Sequence, residues 1–478
     1  MTDSLSLELG HWVGRVTFDD LPPDVIEATK NRVLDVIGLS LAGADTAFGR
    51  SVLEAASAIS PPGPCRVFGT GSGLGVTMAA FVNGAWSQAL EYDDTHNESI
   101  VHMSSPSVAA ALAMADYYSR GGFIRTTGPV SGRDLIAAIA IGNEISCRVG
   151  SVAPGQFHRL GFHPSGLFAP FGVTYLAGKL LGLDAGGLAR AAGICGSFAA
   201  GILECWVDGT QPKFLHPGWA AQSGITSAFL GRAGTTGPAA VFEGRFGLFA
   251  SHLQNPGIAR DFRRITQEIG TRWDSRRASF KPFPAAHVIH PYLDALLRLR
   301  ARHGLTPADI ERIDCPVAAF IVPIVCEPIA EKTAPASDSH GRVSLQYTLA
   351  EALALGALGK TAYRDASLAD PGILALARRV HYAVDPSYPG PGHFKGEVRV
   401  TLKDGRSLVE VEEFNRGSFE NPMTDVEIHR KFDDNASAWL SAEERDRLAS
   451  QIRQLEHLPD ASALVGQAIA AGRIPVEG

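Results

Sequence analysis

Three segments in the first half of the chain are apolar on nearly every side. Alanine and glycine are frequent in all of them, over residues 166–182, 187–206 and 218–233. A helix of this kind is buried, and small side chains allow neighbouring helices to pack closely. Residues 22–43 and 131–150 add apolar residues at helical spacing. The first 277 residues therefore predict a large all-α helical domain.

The composition of the chain changes near residue 278. Residues 310–327 are rich in β-branched side chains and predict a strand, and residues 396–414 predict a β-hairpin that turns at Asp404-Gly405. A helix is predicted between them over residues 344–360. From Thr424 to about residue 472 the pattern is helical and charged again. We therefore expect a mainly α protein with an α+β part between two helical parts.

Length and composition limit the class of protein. At 478 residues the chain is long enough for two domains, and a hydrophobic content of 45% suits a globular protein with a large core. The net charge of −7 argues against nucleic acid and anionic membranes as partners. We see no signal peptide, and no uncharged apolar stretch reaches about 18 residues. The six cysteines form no CxxC pair, which indicates reduced thiols and predicts a cytoplasmic protein.

Residues 91–102, EYDDTHNESIVH, concentrate titratable side chains just before an apolar helical run that begins at Ser107. Burying so many charged groups costs free energy unless they pair with one another or take part in chemistry. This acidic stretch is therefore a candidate site. Its polar members are Glu91, Asp93, Asp94, Thr95, His96 and His102.

Histidine precedes proline three times, at His163, His216 and His290, and each pair precedes an apolar helical run. Proline favours the first position of a helix, so we expect these histidines at or near helix N-termini. The positive end of the helix dipole attracts anions and keeps a histidine neutral, able to act as a base. The alternative is that such pairs only start helices. His102, four residues before Pro106, is expected in a comparable place.

Two lysines lie close to the same predicted helix starts. Lys213 precedes His216 by three residues, and Lys281 lies shortly before His287 and His290. An ammonium group beside a helix N-terminus suits the binding of a carboxylate or a phosphate. The alternative is that both are solvated loop lysines, because lysine is common on protein surfaces.

A metal site is another possible use of these side chains. Two sets of ligands are conceivable, although their spacing matches no common zinc pattern: Asp93, Asp94, His96 and His102, or His287 and His290. The glycine-rich segment 69–75 fits neither common nucleotide-binding pattern, so we interpret it as a turn.

Six segments, taken in order along the chain, make the sequence resemble the MmgE/PrpD family. They are residues 79–96, 161–172, 208–249, 281–295, 344–347 and 416–432. The resemblance covers nearly the whole chain. It implies an all-α domain built from residues 1–277 and 415–478, with an α+β lid, residues 278–414, inserted between them. It also implies a homodimer, and catalysis without a metal or an organic cofactor.

The resemblance also implies site residues. In the decarboxylase branch of the family an aspartate stands where this chain has Glu91, and a threonine corresponds to Thr95. A further lid histidine of the family lies near His287. The family's lid tyrosine has no counterpart, because the segment here reads AAFIVPIVCEP. Two histidines and two lysines of the family correspond to His102, His163, Lys213 and Lys281.

The function implied by the resemblance is that of a lyase or isomerase of a small di- or tricarboxylate. Such an enzyme moves a proton at a carbon next to a carboxylate. Dehydration of a 2-methylcitrate-like substrate and decarboxylation of a cis-aconitate-like substrate are the leading reactions, and epimerisation of an iminodisuccinate-type substrate is the alternative. The step needs a base, and cations aimed at the charge that develops.

We expect Lys213 and Lys281 to clamp substrate carboxylates, and His102 and His163 to carry protons. His287 is expected to complete the pocket from the lid. The residues expected to bind or orient the substrate are Glu91, Asp94, Thr95, His96 and His216. A metal-dependent hydrolase that uses the acidic stretch and a non-catalytic helical scaffold are the competing hypotheses.

Overall fold

The protein is mainly α with a smaller sheet-containing part, as the sequence predicts. The computed structural model describes residues 4–122, 128–390 and 392–469. The helices before residue 278 are α1 (Leu5–Arg15), α2 (Pro23–Ala44), α3 (Ala47–Ile59), α4 (Val76–Gln88), α5 (Ser104–Ser119), α6 (Gly132–Gly150), α7 (Gln156–Arg159), α8 (Pro164–Leu180), α9 (Ala185–Cys195), α10 (Cys205–Asp208), α11 (Pro212–Arg232), α12 (Leu248–Leu253) and α13 (Arg263–Thr266). In the described part of the chain, no helix has the length and hydropathy that a membrane span needs.

Small residues bring the central helices close together, as their composition predicts. α8 packs against α6 and α11, and most residues of all three helices are buried. A Cβ atom at Gly172 of α8 would clash with the backbone oxygen of Gly142 in α6. A Cβ atom at Gly218 of α11 would clash in the same way with Phe81 in α4. Each such contact removes apolar surface from water, which stabilises the fold by roughly 25 cal/mol per Å² of buried surface.

Two short β pairs accompany the helical part. β1 (Pro62–Arg66) pairs antiparallel with β2 (Gly73–Leu74), and the chain turns between them at Gly69, which has a φ of 71°. This confirms that the glycine-rich segment is a turn. β3 (Thr95–His96) pairs antiparallel with β4 (Ala278–Ser279), so it joins the acidic stretch to the segment that carries Lys281.

A four-stranded sheet forms the centre of the α+β part. Its strands are β5 (Ile310–Val317), β6 (Val380–Val384), β7 (Gly396–Leu402) and β8 (Ser407–Glu412), in the order β6-β5-β7-β8. β5 runs parallel to β6 and antiparallel to β7, and the predicted hairpin of β7 and β8 is confirmed. Its helices are α14 (His290–His303), α15 (Ile329–Thr333), α16 (Asp338–Gly341), α17 (Leu345–Leu355), α18 (Asp365–Leu368) and α19 (Pro371–Ala377).

The two parts have separate hydrophobic cores. The core of the α+β part is built from buried residues between Ala285 and Leu402. The C-terminal helices instead join the core of the first part, through side chains such as Ile428 and Leu448. These helices are α20 (Asp425–Ala436), α21 (Ala442–Arg453) and α22 (Ser462–Gln467). The domain boundaries after residues 277 and 414 stay a prediction, and the end of the helical pattern near residue 472 lies outside the described residues.

Several predicted elements end earlier than the sequence pattern indicates. The strand predicted over residues 310–327 stops at Val317 and continues as tight helical turns, where Pro323 has no N–H to donate to a strand ladder. The helix predicted over 187–206 ends at Cys195 and is followed by Gly196. The helix predicted over 344–360 ends at Leu355, because Gly356 adopts a left-handed conformation. These three boundaries were wrong, and strand β6 was not predicted.

Candidate active site

The acidic stretch begins where α4 ends and the chain reverses into β3. Glu91 takes a left-handed conformation at this point, with a φ of 53°. A residue with a side chain rarely adopts this backbone conformation, and such strain is concentrated at functional sites. The pairing of β3 with β4 then brings the segment that carries Lys281 beside the acidic stretch, although the two are far apart in sequence.

Glu91 lies between the two lysines predicted to bind a carboxylate. Lys281 Nζ is 3.0 Å from Glu91 Oε1, and it also donates to the backbone oxygen of Glu91 at 3.2 Å. Lys213 Nζ donates to Glu91 Oε2 from the first turn of α11. Burial opposes ionisation of Glu91, but Lys213, Lys281 and His102 together outweigh it and hold the pKa of Glu91 well below its usual range. The three side chains therefore form a buried ionic cluster.

Asp93 orients His102. Asp93 Oδ1 is 3.2 Å from His102 Nδ1, and Thr95 Oγ1 is 3.3 Å from the same nitrogen. Gln88 and Ser105 donate to Asp93 Oδ2 at 3.2 and 3.0 Å. Burial raises the pKa of Asp93, but His102 outweighs it, so the net shift of the Asp93 pKa is downward. With Nδ1 held in this way, Nε2 is the His102 nitrogen available to a ligand.

His163 is a buried, neutral histidine next to His102. It is the N-cap residue of α8, as predicted, and its ring centroid lies 5.6 Å from that of His102. His163 Nδ1 lies 2.8 Å from His216 Nδ1, so one of the two carries the shared proton. His163 Nε2 is buried and has no hydrogen-bond partner among the described residues. Burial, followed by the neighbouring His216 and Lys213, lowers the pKa of His163 well below its usual value.

His287 faces the same space from the α+β part. Asn415 Nδ2 donates to His287 Nε2 at 2.8 Å, so the proton of this neutral ring lies on Nδ1. No described residue pairs with that Nδ1 atom. Burial, and then His290 and Lys281, lower the pKa of His287 well below its usual value. His290 does not line this space, since its Nε2 donates to the backbone oxygen of Ala285 at 3.1 Å.

These side chains line one cavity between the helical part and the α+β part. Its volume is about 90 Å³, and it is partly open to solvent. Seven of the ten predicted site residues line it: Glu91, Thr95, His102, His163, Lys213, Lys281 and His287. These seven residues bring two ammonium groups, one carboxylate and three imidazole rings into the cavity.

The other three predicted residues lie outside the cavity. Asp94 accepts from Arg32 Nε at 3.0 Å and from Ser104 Oγ at 2.6 Å, so it is part of a structural ion pair. His96 Nδ1 is 2.7 Å from Ser99 Oγ, and burial lowers the pKa of His96 to about 4. His216 reaches the cavity only through His163.

The prediction that His216 lies near a helix N-terminus was wrong. α11 begins at Pro212, so His216 and Pro217 lie inside the helix. Two prolines close together compete for the first helical position, and the earlier one occupies it here. His290 does begin α14, and His102 lies just before α5, as expected.

The proposed metal ligands do not converge. Asp94 and His96 are engaged with other partners, as described above, and His287 and His290 each direct one nitrogen to a neighbouring polar group. Over the residues that the structure describes, no group of three or more His, Cys, Asp or Glu side chains has an arrangement that could hold a metal ion.

Sequence reasoning missed several residues of the cavity. His158, in the single turn of α7, lines it together with Trp206 of α10, and their rings lie 5.1 Å apart. Burial, and then Lys213, lower the pKa of His158 to about 4. Asn97 is a third residue that was missed. His158 lies five residues before His163 in the short segment between α6 and α8, and no local pattern distinguishes it from a surface histidine.

Comparison with known proteins identifies relatives over most of the chain. The MmgE/PrpD N-terminal domain matches residues 7–261, and the MmgE/PrpD C-terminal domain matches residues 283–457. The cis-aconitate decarboxylase of Aspergillus terreus is 27% identical over 471 residues, which cover 96% of this chain and 94% of the relative. The cis-aconitate decarboxylase of Homo sapiens is 28% identical over 472 residues, with coverage of 96% and 91%. The 2-methylcitrate dehydratase of Cupriavidus necator is 25% identical over 375 residues, with coverage of 73% and 72%.

Proposed function

Since the chain belongs to the MmgE/PrpD family, we propose that it is a lyase of a small di- or tricarboxylate that transfers a proton at a carbon next to a carboxylate. One observation carries this proposal. Lys213 and Lys281 converge with His102 and His163 on a single cavity, so cations suited to carboxylates lie beside imidazole rings, of which His102 is the proposed proton carrier.

The lysines are the proposed carboxylate clamp. Both ammonium groups already contact a carboxylate, that of Glu91, so their positions suit this chemical group. Glu91 balances one of the two positive charges and leaves the other for the substrate. Because the cluster is buried, a charge-assisted hydrogen bond to a substrate carboxylate contributes about 1.5–3 kcal/mol.

His102 is the proposed proton carrier. Its Nε2 takes the proton from carbon, and the electron pair of the C–H bond moves into the neighbouring carboxylate. In a dehydration this pair then forms the C=C bond while hydroxide leaves the next carbon, and the hydroxide takes the proton from His102 to give water. Asp93 stabilises the imidazolium that forms, and Lys213 and Lys281 stabilise the negative charge on the substrate. In a decarboxylation the order is reversed: the carbanion that remains after loss of CO₂ takes a proton from His102.

His163 is proposed to act as a neutral hydrogen-bonding partner of the substrate through Nε2. Its low pKa keeps the ring uncharged, and His216 fixes the ring through Nδ1. His287 is proposed to donate from Nδ1 on the opposite side of the cavity. Together these rings orient the substrate, so that its reacting carbon faces His102.

Dehydration and decarboxylation both suit this arrangement, since each passes through a carbanion-like state stabilised by the lysines. Epimerisation of an iminodisuccinate-type substrate is the alternative, because it needs the same proton transfer. We also propose that catalysis needs no metal or organic cofactor, which the histidine and lysine groups of the cavity support. A homodimer is proposed from the family resemblance, and a cytoplasmic location from the pattern of unpaired cysteines.

A panel of substrates tests the proposal directly. Cis-aconitate, 2-methylcitrate and iminodisuccinate are each incubated with the purified protein and followed by NMR, with metal analysis on the same sample. We expect turnover of a polycarboxylate, with kcat/KM lowered at least about 100-fold by Lys213→Ala and by His163→Ala. Lys403→Ala and His11→Ala are matched controls at exposed positions and are expected to keep full activity.

Three results would overturn the proposal. The first is wild-type turnover in both cavity variants, and the second is no turnover or binding of any polycarboxylate. The third is a stoichiometric metal whose removal by a chelator abolishes activity, since this would favour the metal-dependent hydrolase.

A further inference from the structure

Apart from Lys281 and His287, the side chains that residues 278–414 contribute to the cavity are apolar. The larger ones are Val288, Phe320, Ile324, Val343 and Phe394. The helical part contributes Lys213, Glu91 and the other histidines, and Lys281 lies beside them on Glu91. The cavity therefore has one charged wall and one hydrocarbon wall.

The hydrocarbon wall is only partly covered by protein. Val288, Phe320 and Ile324 are half-buried and pack with one side against the core of the α+β part. Phe320 and Ile324 project from the tight helical turns between Ala319 and Cys326. The apolar surface they present to the cavity is in contact with water until a ligand covers it, and covering it is favourable by roughly 25 cal/mol per Å².

An unsubstituted small polycarboxylate is a poor match for this wall. Its carboxylates satisfy the lysines, but a further carboxylate placed against Phe320 or Ile324 would lose water without gaining a hydrogen bond. Such desolvation costs several kcal/mol for an ionised group. An alkyl group at the same place covers the apolar side chains and gives up no hydrogen bond to water.

The wall could also serve only to exclude water from the reaction. Water exclusion alone would favour a closed, well-packed wall, because a packed wall leaves no room for water. The half-buried state of Phe320 and Ile324, facing open space, instead leaves room for a ligand group.

We infer that the substrate is an alkyl-substituted di- or tricarboxylate, whose alkyl chain lies against Phe320, Ile324 and Phe394 while its carboxylates bind Lys213 and Lys281. This inference rests on the proposed function and narrows its substrate class. The chain is longer than a methyl group, since the five apolar side chains form a wall of several residues.

A series of unreactive dicarboxylates measures the contribution of the alkyl chain without knowledge of the reaction. Succinate, methylsuccinate, butylsuccinate and hexylsuccinate are titrated into the wild-type protein by calorimetry. We expect Kd to fall about 4-fold for each added methylene group until the wall is covered. Heptanoate, with a chain but a single carboxylate, is expected to bind more weakly than butylsuccinate.

Variants of the wall locate the effect. Ile324→Gln and Phe320→Ala are expected to weaken binding of hexylsuccinate about 10-fold and to leave binding of succinate unchanged. Val409→Ala removes a half-exposed apolar side chain from strand β8, outside the cavity, and is expected to change the Kd of neither hexylsuccinate nor succinate. Because Ile324 and Phe320 are only half-buried, both variants are expected to fold, and the wild-type series remains decisive if one does not.

The outcomes separate this inference from the proposed function. A Kd that does not change with chain length, with succinate binding still lost in Lys213→Ala, overturns the alkyl subsite alone. Failure of the wild-type protein to bind succinate, citrate or any member of the series overturns the proposed function together with the inference. Equal affinity for heptanoate and hexylsuccinate also overturns the proposed function and the inference, because it shows that the second carboxylate contributes nothing to binding.

Discussion

Replacing Asp93 with asparagine tests how the site orients its proton carrier. Asp93→Asn keeps the size of the side chain and can still accept hydrogen bonds from Gln88 and Ser105. It removes the negative charge 3.2 Å from His102 Nδ1, so the imidazolium loses its counter-ion and the ring loses its fixed tautomer. Removing a group that orients a catalytic residue typically costs 10- to 100-fold, or about 1.4–2.7 kcal/mol.

The assay is steady-state turnover of the polycarboxylate that the substrate panel identifies. We expect kcat of Asp93→Asn to fall 10- to 100-fold with little change in KM, because Lys213 and Lys281 still bind the carboxylates. Asp94→Asn is the matched control at the next residue. Asp94 pairs with Arg32 outside the cavity, so this change is expected to destabilise the protein and to leave kcat of the folded enzyme intact. Wild-type kcat in Asp93→Asn, or a larger loss of kcat in Asp94→Asn, would refute the reasoning.

Three further predictions concern stability and the lid. His96 has a pKa of about 4 when folded and 6.5 when unfolded, so the unfolded chain binds more protons between these pH values. The unfolding free energy therefore falls as the pH drops below 6.5. In His96→Gln we expect this fall between pH 7 and pH 4.5 to be smaller by about 2.5 kcal/mol, as measured by urea unfolding at each pH. Lys431→Met leaves Asp35 buried without its partner, and we expect the free energy of unfolding in urea to fall by about 3–5 kcal/mol. An unchanged free energy would show that this ion pair does not hold the C-terminal helices in place. Asn415→Leu removes the hydrogen-bond donor to His287 Nε2, and kcat/KM is expected to fall about 3- to 10-fold. An unaltered kcat/KM would argue against a role for His287 in binding the substrate.

The sequence predicted the helices well because their signal is local. The apolar residues of α8 and α11 recur at helical spacing, and their small residues indicate close packing before any partner helix is known. The β7–β8 hairpin was predicted for the same reason, since its strands and turn are adjacent in sequence. Strand β6 was missed because it pairs in parallel with a distant strand, β5.

The site was predicted as a set of residue types and not as a geometry. Lys213 and Lys281 are distant in sequence, and only the packing of α11 and the β3–β4 pair brings both to Glu91. The two adjacent aspartates show the limit most clearly. Sequence reasoning chose Asp94 to orient the histidines, but Asp94 pairs with Arg32, and Asp93 is the one that contacts His102.

Solvent isotope exchange tests the central claim of proton transfer at carbon most directly. The protein is incubated in D₂O with the polycarboxylate that it turns over, and NMR locates deuterium in the product and in the recovered substrate. We expect deuterium at the carbon next to a carboxylate, with the rate of incorporation falling 10- to 100-fold in Asp93→Asn. For a dehydration the reaction is run from the unsaturated acid, because solvent hydrogen enters that carbon only in the hydration direction. A product formed with no solvent deuterium at that carbon would contradict the account.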